Sequence, residues 1–129
     1  MKGKVVLSYW AAFNRALTGN AYCFSISNTN KTSKPINLLY GLMPGDLAWK
    51  YKENEITWEE YTEEYLKLLE TVPARKDLDL VRTLLNSGRD VWLICYEAEP
   101  PCHRFIIGDI LAKEGYEVIA VSYTHLRAH

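Results

Sequence analysis

A thiol, an imidazole and a guanidinium follow one another at Cys102-His103-Arg104. They come just after an apolar run, Val91-Trp92-Leu93-Ile94-Cys95, and a short Glu/Pro loop. The run reads as a buried strand and the triplet as the first turn of a helix. A helix N-terminus presents unpaired N–H groups and a partial positive charge, both of which favour thiolates and anions. The C-terminal end of a strand in an α/β unit is also where ligands commonly bind.

Each residue of this stretch has a chemical reading and a plainer one. Cys102 reads as a nucleophile whose thiolate is favoured by the helix terminus, His103 and Arg104. It also reads as a metal ligand with Cys95 and His103, or as a buried packing thiol. The metal reading is the weakest. Its spacing matches no zinc pattern, and adjacent helical residues point roughly 100° apart. No metal and no cofactor are therefore expected. Arg104 in a first turn opposes the helix dipole unless an anionic ligand, or the carboxylate of Glu97 or Glu99, answers it. Glu97 suits a general acid or base if the loop buries it, and is otherwise an exposed loop carboxylate.

Cys95 and Tyr96, at the end of the apolar run, belong to the same ligand-binding region. Ser8 and Tyr9, and Ser27 and Asn28, lie at the ends of two other predicted strands. They would form a polar pocket floor if all three strands are parallel. Neither Cys95 nor Cys102 stands at the six-residue spacing from an arginine that a tyrosine-phosphatase cradle needs, and the chain has no P-loop or G-x-G-x-x-G. ATP hydrolysis and dinucleotide redox chemistry are disfavoured accordingly.

Four predicted strands position these groups: Val5 to Ser8, Ala21 to Ile26, Val91 to Cys95 and Tyr116 to Val121. A long polar loop runs from Ser27 to Pro35, and a short helix is expected from Asp46 to Tyr51. Thr57-Trp58-Glu59-Glu60 fits a capping box. The helix it opens puts Trp58, Tyr61, Tyr65, Leu68 and Leu69 on one face, read as core or lid packing rather than a base-stacking platform. Pro73 breaks the pattern. A second helix is expected from Arg75 to about Asn86 and a third from Cys102 to Glu114, with Gly88 and Gly115 as stops. The alternation predicts one α/β domain over residues 1–121. It is a three-layer arrangement with a small, mostly parallel sheet of about four strands and helices on both faces.

The chain has 129 residues, 48% hydrophobic and 24% charged, with a formal net charge of −1. That balance fits one soluble globular domain and gives no electrostatic case for nucleic-acid or membrane binding. No apolar run approaches the roughly 18 residues a bilayer span requires. Three cysteines without scaffold spacing fit a reducing compartment, so a cytoplasmic location is expected. Residues 122–129 continue no pattern and resemble a translated adaptor sequence. They are expected to be a non-native tail standing where the native C-terminus would follow.

Leu93-Ile94-Cys95-Tyr96-Glu97 with Cys102-His103-Arg104 resembles the signature of the family known as domain of unknown function 488. Ser8-Tyr9-Trp10-Ala11, Ser25-Ile26-Ser27, Leu42-Met43-Pro44 and Ile56 to Tyr61 with Tyr65 are similar to its other segments, in order, to about Val121. The resemblance implies a compact three-layer α/β fold with the Cys-His-Arg turn at a pocket. It implies no activity. Many members carry an Asp-x-Arg sequence after the second strand, where this chain has Ser27-Asn28-Thr29-Asn30. Two functions follow as expectations. One is an enzyme acting on a small anionic, nucleotide-like or phosphate- or carboxylate-bearing ligand, with Cys102 as nucleophile, His103 or Glu97 moving protons and Arg104 holding the anion. The other is a non-catalytic binding module in which Cys-His-Arg is architecture.

Overall fold

A computed structural model describes residues 1–97 and 101–121; the tail at 122–129 and the loop residues 98–100, Glu99 among them, lie outside the described residues. In chain order the elements are β1 (Val5–Tyr9), α1 (Trp10–Arg15), β2 (Tyr22–Ser25), β3 (Asn37–Leu38) and a 3-10 turn (Tyr40–Leu42). Then come α2 (Asp46–Lys52), α3 (Trp58–Leu68), α4 (Val72–Asn86), β4 (Val91–Cys95), α5 (His103–Lys113) and β5 (Val118–Ala120).

The sheet has five strands in the order β3-β2-β4-β1-β5. Every pairing is parallel. The strand beyond the four legible in the sequence is β3. Two exposed residues are too few for an alternating pattern to register. Central β4 is buried on both sides, which suits its unbroken apolar run. Its register sets Tyr9 beside Cys95 and Ser25 beside Ile94. The C-terminal ends of β1, β2 and β4 therefore open at the same edge of the sheet.

The two faces carry unequal layers. Val5, Leu7, Phe24, Val91 and Leu93 point into the larger core. There they meet Tyr61 and Tyr65 of α3, Leu78, Val81 and Leu85 of α4, and Ile107 and Leu111 of α5. On the opposite face Trp10 and Phe13 of α1 pack on Ile94, with Cys23 and Trp92 alongside.

Local chemistry explains most boundaries. Thr57 Oγ1 accepts from the Glu60 amide at 3.1 Å, and Glu60 Oε1 accepts from the Thr57 amide at 2.9 Å, completing the capping box of α3. Pro73 does not break the next helix. It occupies the first turn, where its missing N–H costs nothing, so α4 begins at Val72 rather than Arg75. Helix α5 stops at Gly115, whose φ of 97° lies in the region open to glycine. Trp10–Arg15 is helical despite an N-cap Tyr9 that makes no side-chain cap and a first turn without acids. No helix among the described residues is long and apolar enough to cross a membrane.

Candidate functional site

Cys102 is the N-cap residue of α5, with extended backbone at φ −155° and ψ 149°, and its side chain makes no cap. Because it precedes the helix, the angular separation expected of adjacent helical residues does not apply. Its sulfur turns back toward the end of β4 and lies 2.7 Å from the sulfur of Cys95. His103 Nδ1 stands 3.6 Å from the Cys102 sulfur and 3.5 Å from that of Cys95. The other ring nitrogen, Nε2, lies 2.6 Å from the Ile26 carbonyl oxygen. A carbonyl only accepts, so Nε2 carries the proton and Nδ1 is left to take or return a sulfur proton.

Three elements hold the imidazole in place. Ile26, just past β2, fixes Nε2, while α5 supplies the backbone. Tyr65 of α3 meets the ring edge-on at 5.3 Å and 67°. Tyr65 is in turn anchored by a 2.6 Å bond from its hydroxyl to the Leu42 carbonyl.

The two thiols are driven apart electrostatically. Burial opposes ionisation of Cys102, yet the Cys95 thiol, His103 and the Arg104 charge together hold it well below the usual thiol range. Burial pushes Cys95 well up, and the neighbouring Cys102 pushes it further. Within the pair the negative charge is thus favoured on Cys102 and the proton on Cys95. Burial first, then the negative charge at Cys102, raises Tyr61 far above an ordinary phenol. Tyr61 thus remains a hydroxyl donor.

Cys102 and His103 line a cavity of about 660 Å³, the size of a small-molecule site. Of the residues singled out in the sequence, Ser27, Asn28, Tyr96 and Glu97 share its wall. Ser8, Tyr9, Cys95 and Arg104 do not. Asn28 spends its amide group on the backbone of Gly45, donating to the carbonyl at 2.9 Å and accepting from the N–H at 3.0 Å. The Ser27 hydroxyl pairs with that of Thr29 at 3.3 Å.

Arg104 is fully buried, donates to the backbone carbonyl of Glu97, and lies over the Phe105 ring at 4.5 Å. Arg104 does not line the cavity, and its charge lies close enough to the thiols to favour the Cys102 thiolate. The Glu97 side chain is exposed, so the loop does not desolvate it as a general base would require. Ser8 is buried, and among the described residues its hydroxyl has no hydrogen-bond partner.

The remaining wall comes from residues the sequence reading did not assign to a site. Trp49, Tyr51 and Lys52 of α2, Trp58 and Tyr61 of α3, and Lys31 face the same space. Trp58 and Tyr61 stack at 4.6 Å, and Tyr51 meets both edge-on at 5.5 and 5.9 Å. The Trp58/Tyr61/Tyr65 periodicity was the available signal. It marks the face of α3 turned toward α5, where core and cavity wall are continuous.

Cys95, Cys102 and His103 are all buried, with donor atoms within 4.8 Å of one another. By donor type these are the residues that would hold a thiophilic ion. The sulfurs are nevertheless closer together than the about 3.7 Å that two thiolates span on a tetrahedral zinc.

The family described as DUF488-N3a, the active DUF488-N3 subclade, matches residues 42–115, more than half of the chain. The match takes in α2 through α5 and the whole Cys-His-Arg turn. No curated protein and no solved structure matches the chain.

Proposed function

The chain belongs to the DUF488-N3a family, the active DUF488-N3 subclade, and from that premise we propose that it is a thiol-dependent enzyme acting on a small anionic molecule that carries a planar ring. The observation that carries this reading is the Cys102 sulfur at the cavity wall, 3.6 Å from an imidazole nitrogen whose partner nitrogen is already committed. The Cys102 sulfur, with its proton held on His103 Nδ1, bonds to an electrophilic carbon of the substrate. The leaving group departs with that proton. Water, losing a proton to the same nitrogen, then breaks the sulfur–carbon bond and the thiol is restored.

Lys31, Lys52 and the first turn of α5 suit a phosphate or carboxylate. The faces of Trp58 and Tyr61 suit a heterocycle. Arg104 supports the thiolate from behind, and the Tyr61 hydroxyl supplies a donor. The competing reading, a binding module without turnover, draws on Arg104, which is locked to the loop backbone as an architectural residue would be.

Iodoacetamide alkylation followed by peptide mapping across pH separates the two. Cys102 is expected to react with a midpoint well below the free-thiol value of about 8.5. Inorganic phosphate or a nucleoside monophosphate is expected to slow it. A Cys102 that reacts only after denaturation would overturn the enzyme reading and leave the binding module.

A further inference from the structure

Cys95 forms no bond to substrate in the chemistry above, yet its sulfur lies in direct contact with that of Cys102. It is the last residue of β4 and fully buried, while Cys102 opens α5 just across the loop. The two sulfurs lie 2.7 Å apart and His103 Nδ1 is within 3.6 Å of each. Of the pair only Cys102 borders the cavity, so an oxidant entering there meets Cys102 first. Cys23 makes a natural contrast. It lies on β2 against the opposite face of the sheet, with its sulfur 3.9 Å from the Ala21 carbonyl.

We propose that Cys95 is a resolving thiol, which closes a reversible disulfide with Cys102 after a peroxide has oxidised Cys102. The Cys102 thiolate attacks the peroxide O–O bond; a sulfur–oxygen bond forms, and hydroxide (or alkoxide) leaves, taking the proton that Cys102 had placed on His103 Nδ1. Cys102 is now a sulfenic acid, oxidised by two electrons, and the peroxide is reduced by two. Cys95 passes its proton to His103 Nδ1 and its sulfur attacks the sulfenic sulfur. The S–S bond forms as the S–O bond breaks, and the departing hydroxide takes the proton from His103 to leave water. A thiol reductant reverses the bond by exchange. The consequence is protection, because a sulfenic acid with no adjacent thiol proceeds to the irreversible sulfinic and sulfonic acids. The inference rests on the reading of Cys102 as a cavity-facing thiolate, but its second step depends on Cys95 alone.

The test treats the full-length, reduced, chelator-washed chain with hydrogen peroxide, blocks remaining thiols with N-ethylmaleimide and maps the peptides. The expected product is a Cys95–Cys102 cross-linked peptide, lost on adding dithiothreitol, with Cys23 still alkylated. In Cys95→Ser, Cys102 is expected to accumulate sulfinic and sulfonic acid that dithiothreitol does not restore. Diamide, which oxidises dithiols without a sulfenic intermediate, is applied in parallel. If diamide forms the cross-link and peroxide leaves Cys102 reduced, the thiolate reading of Cys102 fails and the peroxide route fails with it, although the pair is shown to be close. If peroxide over-oxidises Cys102 equally in wild type and Cys95→Ser, the resolving role is overturned while the thiolate reading stands. Stoichiometric zinc that survives the chelator wash and shields both thiols would also overturn it, in favour of a metal site.

Discussion

At the scale of single residues, the division of labour turns on which sulfur keeps its proton. Cys102 owes its low position to the Cys95 thiol, His103 and Arg104, acting against burial. Replacing His103 by Gln removes the imidazole while keeping an amide within reach of the Ile26 carbonyl. The pH midpoint for Cys102 alkylation is expected to move up by roughly one to three units, as when a favourable partner within a few ångströms is lost. A midpoint unchanged by that substitution would show that Arg104 and Cys95 alone sustain the thiolate. Tyr65→Phe tests the layer beneath. It leaves the buried Leu42 carbonyl without the hydroxyl it accepts from, at a cost of about 1–3 kcal/mol in urea unfolding. The reactive triplet was legible in the sequence because its three members are consecutive and follow a recognisable strand. The cavity's lysines and aromatics were not. Lys31, Trp49, Tyr51 and Lys52 lie far upstream of Cys102, and only the folded chain brings them to its side.

At the scale of elements, the cavity exists because α2 and α3 are held over the open edge of the sheet. The 3-10 turn that precedes α2 is fastened to α4. Gly41 donates its N–H to Asp77 of α4 at 2.8 Å, and a Cβ there would come within 2.5 Å of the Pro73 carbonyl carbon and oxygen. Gly41→Ala must displace backbone rather than a side-chain tip. It is expected to cost about 1–3 kcal/mol, read as a lower urea midpoint at unchanged slope. Thr57→Ala removes one half of the capping box and is expected to cost roughly 1 kcal/mol. The two losses should add, since the sites share no partner. The capping box was plain in the sequence because its spacing is local. The start of α4 was misread, because Pro73 terminates a helix that arrives at it and begins one that leaves. Helix α1 went unseen because tertiary packing of Trp10 and Phe13, rather than any capping signal, makes it helical.

At the scale of the whole molecule, the buried acids set how stability varies with pH. Tyr61 and Tyr65 are raised by burial first and then by their charged neighbours, so both are protonated in the folded chain. Their contribution is complete below the unfolded tyrosine value of about 10 and is lost as pH rises through their folded values. Stability measured by urea unfolding is therefore expected to fall above pH 10. The double variant Tyr61→Phe/Tyr65→Phe should fall less steeply over the same interval, starting from a lower value. Equal slopes for both proteins would contradict the assignment. The strand order has a different consequence. Among the described residues, β1 pairs only with β4 and β5, and β2 joins it only through β4. Val5 to Tyr9 thus have no strand to pair with until Val91 to Cys95 has left the ribosome. Long-range closure of that kind is slow. The nascent N-terminal half emerges with β1 unpaired and β2 matched by the two-residue β3 alone, and one late segment of the chain both joins these strands into one sheet and leads into the reactive thiols.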